Sequence, residues 1–326
     1  MKIRPLKFIG FGTALGKQCV ENDFFEHFHS LEKGKIEEIL GLRRRYHVQN
    51  ETMIDLAAEA LAKALTNANL NFENLDLVIS ASVSPFYTLP NNATMIAQHL
   101  GKSQVPCMDV NQSCLSWLAA LEMASSLLQV GQYRNIAIVS AETPSKILNT
   151  NNLETHCLFG DAAAAVIVSQ SENPNQGVVK SLFRTYPEGW NLSLIPAGGL
   201  AKHPLHDAPK AEDFTFQMQN HRILLYSLKK MKVFFSEFFT EDCTWNEVDK
   251  FVPHQGSRAG LDFFCHEFGI ENKVIRNFEQ RGNCVAASIP LAFCEAMQHG
   301  EIKENQKILL TGTAAGISLG AVMVQL

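Results

Sequence analysis

Three side chains in this chain have settings that suit covalent chemistry on an acyl group: Cys114, His254 and Asn283. Cys114 lies in DVNQSCLSWLAALEMASSLL, where a short apolar run gives way to a polar turn and then to a long apolar helix. A thiol at such a helix start faces unpaired N–H groups and the positive end of the helix dipole, which favour a thiolate. The thiolate is the nucleophile, so a lowered pKa and preferential alkylation are expected at Cys114. His254, in VPHQG, ends a strand pattern, and Asn283, in GNCVAASIPLAF, precedes a second apolar helix. A soft nucleophile, an imidazole and an amide so placed fit acyl-thioester chemistry. The chain has eight cysteines, and a buried cysteine is more often a small core residue than a nucleophile. The inference therefore rests on the three contexts together.

The elements that must position these residues occur twice. A helix over 53–69 precedes LDLVISAS, as one over 222–239 precedes VDKFVPHQ. Further helices follow near 91–100 and 258–268. DVNQSCLSWLAALEMASSLLQVGQYRNIAIVSAET then parallels NFEQRGNCVAASIPLAFCEAMQHGEIKENQKILLTGTAAG. Both helices in that pair close on a glycine, Gly131 or Gly300, as a helix C-terminus favours. Each half ends in a turn and an apolar strand, FGDAAAAVIVSQ or AAGISLGAVMVQL. The pattern predicts one α/β unit used twice, divided at the polar stretch SQSENPNQG, 169–177. The halves are expected over 1–171, carrying the cysteine, and 172–326, carrying the histidine and asparagine. Packed about a pseudo-twofold axis, their strand ends and helix starts converge on one central site.

Composition narrows the function. The 326 residues are 46% hydrophobic and 19% charged, with a net charge of −5. That suits a globular protein with a large core and argues against a nucleic-acid footprint. No run reaches the roughly 18 apolar residues of a membrane span, and MKIRPLKFIGFG lacks a signal-peptide core. The cysteine spacing has no zinc or disulfide pattern, so no metal is expected and a reducing cytoplasm is the expected setting. One basic cluster stands out, Arg43, Arg44 and Arg45, either a solvated turn or a contact for an anionic partner.

At this point the chain resembles the thiolase superfamily, and most closely its ketosynthase III branch, the β-ketoacyl-acyl-carrier-protein synthase III enzymes. The resemblance runs through IGFGTALGKQCVENDFFE, GLRRRYHV, DVNQSCLSWLAAL, LFGDAAAAVIV, VPHQ, GNCVAASIPLA and LLTGTAAGISLGAVMV, in order. It implies a thiolase-like fold, with duplicated βαβαβαββ halves in an α/β/α/β/α layering. It also implies that Cys114 carries the acyl group as a thioester. His254 and Asn283 would stabilise the enolate formed when a malonyl-type thioester loses CO2. The backbone N–H groups of Cys114 and Ala315 would form the oxyanion hole. Leu89, Phe159, Asn220, Gly256 and Ser257 would contact substrate. No cofactor is implied beyond substrates carried on coenzyme A or an acyl carrier protein. The loop SVSPFYTLPNN would cross a homodimer interface to floor the partner's acyl pocket.

Several positions depart from that pattern. Lys35 and Ile39 stand where the resemblance expects a Trp and Arg clamp on the adenine and phosphate of coenzyme A. Ser257 and Ala259 replace an Asn and a carrier-docking Arg. A carrier-protein donor is therefore expected over acyl-coenzyme A, with Arg43, Arg44, Arg45 and Arg258 as the available cations. Leu115 and Trp117, bulkier than usual, either reshape the tunnel or pack in the core. Leu89 occupies the place of the glutamate base found in a branch that joins two long acyl chains. The alternative function is acyl transfer from Cys114 to a hydroxyl or amine on the same fold. Asn283 favours condensation.

Overall fold

The structure, a computed structural model, describes residues 3–101, 104–241 and 243–326; the side chain of Asn220 lies outside that description. Two five-stranded sheets carry the fold. The first runs Lys7–Leu15, Ala162–Ser169, Asn135–Glu142, Leu77–Ser80 and Cys107–Asp109 in spatial order. The second runs Arg4–Pro5, Gly177–Thr185, Ser318–Gln325, Lys307–Ala314 and Lys250–Pro253. The repeat read from sequence is a repeat of pairing. Leu77–Ser80 lies parallel to Asn135–Glu142, which is antiparallel to Ala162–Ser169, itself antiparallel to Lys7–Leu15. Lys250–Pro253, Lys307–Ala314, Ser318–Gln325 and Gly177–Thr185 repeat those relations in the same order. The halves are not wholly separate, because Arg4–Pro5 pairs with Val178 and Gly177 at the edge of the second sheet.

Between the sheets lie the helices Ser116–Gln129 and Ser288–Gln298, each with a largely buried surface. Their side chains and the inner faces of both sheets form one core, including Trp117, Leu121, Phe293, Val166 and Val322. That explains why both helix patterns are apolar nearly all round. Helix Met53–Ala68 covers the outside of the first sheet, and helices Asn220–Phe238 and Arg258–Phe268 cover the second. The layering is α/β/α/β/α.

The two outer layers are packed differently. Helix Met53–Ala68 starts at a capping box made by Thr52 and Asp55 and presents Ala57, Ala60, Ala64 and Leu61 inward. It approaches its sheet so closely that a Cβ on Gly12 would lie 2.0 Å from the Ala60 carbonyl oxygen. Helix Asn220–Phe238 instead presents Phe234, Phe235 and Phe238 towards Leu319, Ala321 and Met323.

Candidate active site

Cys114 sits on a tight turn between the edge strand Cys107–Asp109 and helix Ser116–Gln129. Ser113 adopts φ of 50°, a left-handed conformation that a non-glycine side chain disfavours. Three bonds hold it there. Asn111 Oδ1 accepts from the Ser113 N–H at 2.9 Å, Ser116 Oγ accepts from the Gln112 N–H at 2.9 Å, and Ser116 Oγ donates to the Ser113 carbonyl at 2.6 Å. Backbone strain of this kind clusters at functional sites. Cys114 precedes the first helical residue, Ser116, by two positions rather than lying within the first turn.

His254 follows strand Lys250–Pro253, and its N–H donates to the Thr311 carbonyl at 2.8 Å. The approach is close: a Cβ on Gly312 would lie 2.7 Å from the His254 Cβ. Asn283 is buried, and its backbone bonds with Leu158 and Gly160 tie the second half to the LFGD segment of the first. Gly282 reaches φ of 69°, and a Cβ there would lie 2.6 Å from the Leu158 carbonyl oxygen. The Asn283 amide donates to the Gly256 carbonyl at 3.2 Å and accepts from the Val285 N–H at 2.9 Å, so its orientation is set on both sides.

Cys114, His254, Asn283 and Ala315 line one cavity of about 470 Å³. The backbone N–H groups of Ala315 and of Cys114 itself act on the sulfur and lower its pKa. The expected low-pKa thiol is nevertheless corrected. Burial, and then the charge of Glu142, push the thiol up to about 12. Cys19 is the exposed thiol and Cys114 is half-buried, so an alkylating reagent has access to more than one cysteine. His254 is drawn down to about 4 by burial alone, so it is neutral near pH 7, and its Nδ1 has no partner among the described residues.

Glu142, which the sequence reading did not single out, acts on Cys114 through its charge without lining the cavity. It ends strand Asn135–Glu142, is buried, and accepts from the Val83 N–H at 2.5 Å. Burial lifts its carboxyl to about 8, opposed by hydrogen bonds from Val83 and Ser84. A carboxylate closing the apolar strand IAIVSAE was the available signal.

The remaining expected residues divide. Phe159, Gly256 and Ser257 line the cavity; Ser257 also caps helix Arg258–Phe268 by accepting from the Gly260 N–H at 3.1 Å. Asn220 begins its helix, and its side chain is outside the described residues. Leu89 is 84% exposed and does not line the cavity of its own chain. Leu115 and Trp117 are fully buried core residues, Trp117 packing against Phe293 with ring centroids 5.9 Å apart. The four expected cations do not make a patch. Arg45 is buried beneath the Phe25 ring and donates to the Cys157 carbonyl at 2.9 Å, and Arg258 donates to the Glu38 carbonyl at 2.9 Å. Arg43 pairs with Glu37 at 3.1 Å and Arg44 donates to Gln280 at 2.7 Å. Ile39 lines the cavity, and Lys35 pairs with Glu38.

Two duplicated sheets around a central helix pair, with a cysteine on a strained turn opposite a histidine and an asparagine, define a condensing enzyme of the thiolase fold. Comparison with known proteins narrows this. Residues 108–187 match the 3-oxoacyl-acyl-carrier-protein synthase III family model, and 239–326 match its C-terminal model. The beta-ketoacyl-acyl-carrier-protein synthase III of Clostridium perfringens strain ATCC 13124 is 31% identical over 326 residues, covering 99% of this chain and 100% of the relative. That of Neisseria gonorrhoeae strain NCCP11945 is 31% identical, covering 98% of each. The crystal structure of the Aquifex aeolicus 3-oxoacyl-acyl-carrier-protein synthase III superposes with a TM-score of 0.88 at 26% identity, over 98% of this chain and 100% of that one. The chain belongs to the 3-oxoacyl-acyl-carrier-protein synthase III family and is an acyl-thioester condensing enzyme.

Proposed function

We propose that Cys114 loads an acyl group and that His254 and Asn283 then serve a decarboxylative Claisen condensation with a malonyl-type thioester. In loading, the Cys114 sulfur attacks the donor carbonyl and the carrier thiol leaves with the Cys114 proton. The N–H groups of Cys114 and Ala315 receive the oxyanion, a contribution of about 3–4 kcal/mol per donor in comparable sites. In the second step the C–C bond to the malonyl carboxylate breaks and CO2 departs. The enolate oxygen accepts from His254 Nε2–H and from the Asn283 amide. The enolate carbon attacks the Cys114 thioester, a C–C bond forms, and the sulfur is released. A neutral imidazole suits this task, because it donates one N–H without transferring a proton. The observation that carries the reading is that Cys114, Ala315, His254 and Asn283 line one cavity, with two N–H groups acting on the thiol.

The carriers are acyl carrier protein or coenzyme A. Arg45 and Arg258 bond within the chain, which weakens the expected basic patch, while Lys35 and Ile39 in place of the nucleotide clamp still favour the carrier protein as donor. A C2 homodimer is supported by the edge strand Cys107–Asp109 and by the exposed apolar side chains Phe86, Tyr87 and Leu89 on the neighbouring loop. Leu89 would then meet substrate in the partner's site. Ser193, Met218 and the neighbouring cavity lining would admit the pantetheine arm.

The test is intact-protein mass spectrometry with acyl-carrier-protein and acyl-coenzyme A donors. Cys114→Ser should abolish the acyl adduct while the protein stays folded. An undiminished adduct in that variant would refute the nucleophile. Light scattering giving a 36.2 kDa particle at micromolar concentration would refute the dimer.

A further inference from the structure

One side chain ties the turn that presents Cys114 to the loop 83–92. The pairing of strand Cys107–Asp109 with Leu77–Ser80 runs on through Val110, whose N–H donates to the Ser80 carbonyl at 2.8 Å. Alternate side chains of an extended chain share a face, so Asp109 and Asn111 fall on one side of it. Both take hold of the loop. Asp109 grips its exit, accepting from the Asn92 and Ala93 N–H groups at 2.8 and 2.9 Å, where helix Asn92–His99 begins. Asn92 closes the loop on itself, donating to the Ser84 carbonyl and accepting from the Phe86 N–H, each at 2.9 Å. Asn111 grips the entrance: its Nδ2 donates to the Val83 carbonyl at 3.0 Å, while its Oδ1 accepts from the Ser113 N–H at 2.9 Å. A carboxamide supplies the donor and the acceptor that this needs, whereas a carboxylate supplies only the acceptor.

We propose that Asn111 is a positioning residue for the reaction, a clasp through which the loop 83–92 sets the turn that presents Cys114. The proposal rests on the reading that Cys114 is acylated. Ser113 stands at φ of 50°, which a serine adopts only under restraint. Without the bond to its N–H the turn relaxes, and the fraction of chains that present the sulfur falls. The other end of the clasp is held twice, because Asn111 takes the Val83 carbonyl and Glu142 takes the Val83 N–H. Val83 thereby joins the group whose charge acts on the thiol to the group that shapes its turn. The loop also carries the exposed side chains of Phe86, Tyr87 and Leu89, so a second copy seated on them would steady the loop and, through Asn111, the nucleophile. Asn111 is itself exposed, so water competes with both of its bonds and the clasp is worth about one order of magnitude in rate.

The experiment follows acylation of Cys114 in the full chain by rapid quench and intact-protein mass spectrometry, with hexanoyl-coenzyme A and hexanoyl carrier protein as donors over a range of concentrations. Asn111→Ala should lower the saturating rate about tenfold, the scale of one unsupported left-handed residue, and leave the half-saturating concentration within about twofold. Ser113→Gly added to Asn111→Ala should recover most of that rate, because glycine takes the left-handed conformation without the bond. A loss of general stability would not be recovered by a second substitution beside the first. Asn111→Asp keeps the acceptor for the Ser113 N–H and loses the donor to Val83. It should lower the rate about threefold, the scale of one exposed hydrogen bond, and speed amide hydrogen exchange across 83–86. Asn111→Ala loading at the parent rate overturns the proposal, as does a slow variant that Ser113→Gly does not restore. Asn111→Asp with the parent's loading and exchange overturns the link to the loop. Exchange also separates the clasp from the acylation reading. A parent chain that forms no Cys114 adduct would refute acylation, while faster exchange at Ser113 and across 83–86 in Asn111→Ala would still uphold the clasp. A Cys114 adduct with exchange unchanged in every variant would do the reverse.

Discussion

The outer helices of the two halves are built on the same plan and yet do opposite things. Met53–Ala68 and Asn220–Phe238 each lie across two antiparallel strands of their own sheet. In the first half the facing residues are small: Gly10 and Gly12 on one strand, Ala163 and Ala165 on the next, Ala60 and Ala64 on the helix. Backbones come into contact and no space remains. In the second half the facing residues are Leu182, Leu319, Met323, Phe234 and Phe235. Large side chains hold that helix off its sheet more sparsely, and the cavity reaching Cys114 extends beneath it. Residue size, with topology unchanged, makes one half a wall and the other a container.

A division of labour should accompany this difference, and it offers the largest effect to measure. The proposed nucleophile belongs to the first half and the proposed enolate donors to the second. His254→Ala and Asn283→Ala should each lower condensation by about 10² to 10³, the scale for removing one oxyanion donor, with acyl loading largely retained. Rapid-quench loading beside steady-state condensation checks this. Parallel loss of both would mean that the two halves act as one unit on the thiol.

Stability should differ next. Gly12→Val forces side-chain atoms into the Ala60 carbonyl and should lower stability by about 3 kcal/mol, seen as a reduced urea midpoint at constant slope. Leu228→Trp, directed into the cavity of the second half, should change it by less than about 1 kcal/mol. Equal losses would contradict the contrast between wall and container.

A smaller effect concerns Glu142, the buried acid of the first half. Its charge raises the Cys114 pKa, so Glu142→Gln should speed alkylation of Cys114 by iodoacetamide, followed by peptide mapping to exclude Cys19. Glu142 titrates near pH 8, so the gain should be greater at pH 9, where the carboxylate is charged, than at pH 6. The folded state holds this proton more tightly than the unfolded chain. Its contribution to stability is therefore present below the ordinary carboxylate range and lost as pH rises through about 8. Glu142→Gln should flatten that part of the stability profile. His254 has the opposite sign: its folded pKa is lowered to about 4, so its contribution is lost as pH falls from about 6.5 to 4.

The smallest effect is at Ser227, whose buried hydroxyl has no partner among the described residues. Ser227→Ala should raise stability by about 0.5–1 kcal/mol, combining relief of an unsatisfied hydroxyl with the better helix propensity of alanine. A loss of 1 kcal/mol or more would mean that this hydroxyl has a partner in solution.

Much of this organisation is written locally. The turn before an apolar run places Cys114, the strand end places His254, the glycine before an amide places Asn283, and repeated order along the chain declares the duplicated unit. Each is a matter of neighbours in sequence, which backbone geometry and hydrophobic period control directly. Other properties depend on neighbours distant in sequence. Arg45 looks like one of three surface cations, yet packing with Cys157 and Phe25 buries it. Trp117 could have lined a tunnel and instead meets Phe293 in the core. The helix start at Cys114 favours a thiolate, yet burial and Glu142 outweigh it, because desolvation grows with everything that closes around the site. The cavity along Asn220–Phe238 exists only between elements that tertiary packing brings together, with its width fixed by side chains on three of them. Sequence alone determined which groups could react; the packed structure decided their charge, their surroundings and the space left for a substrate.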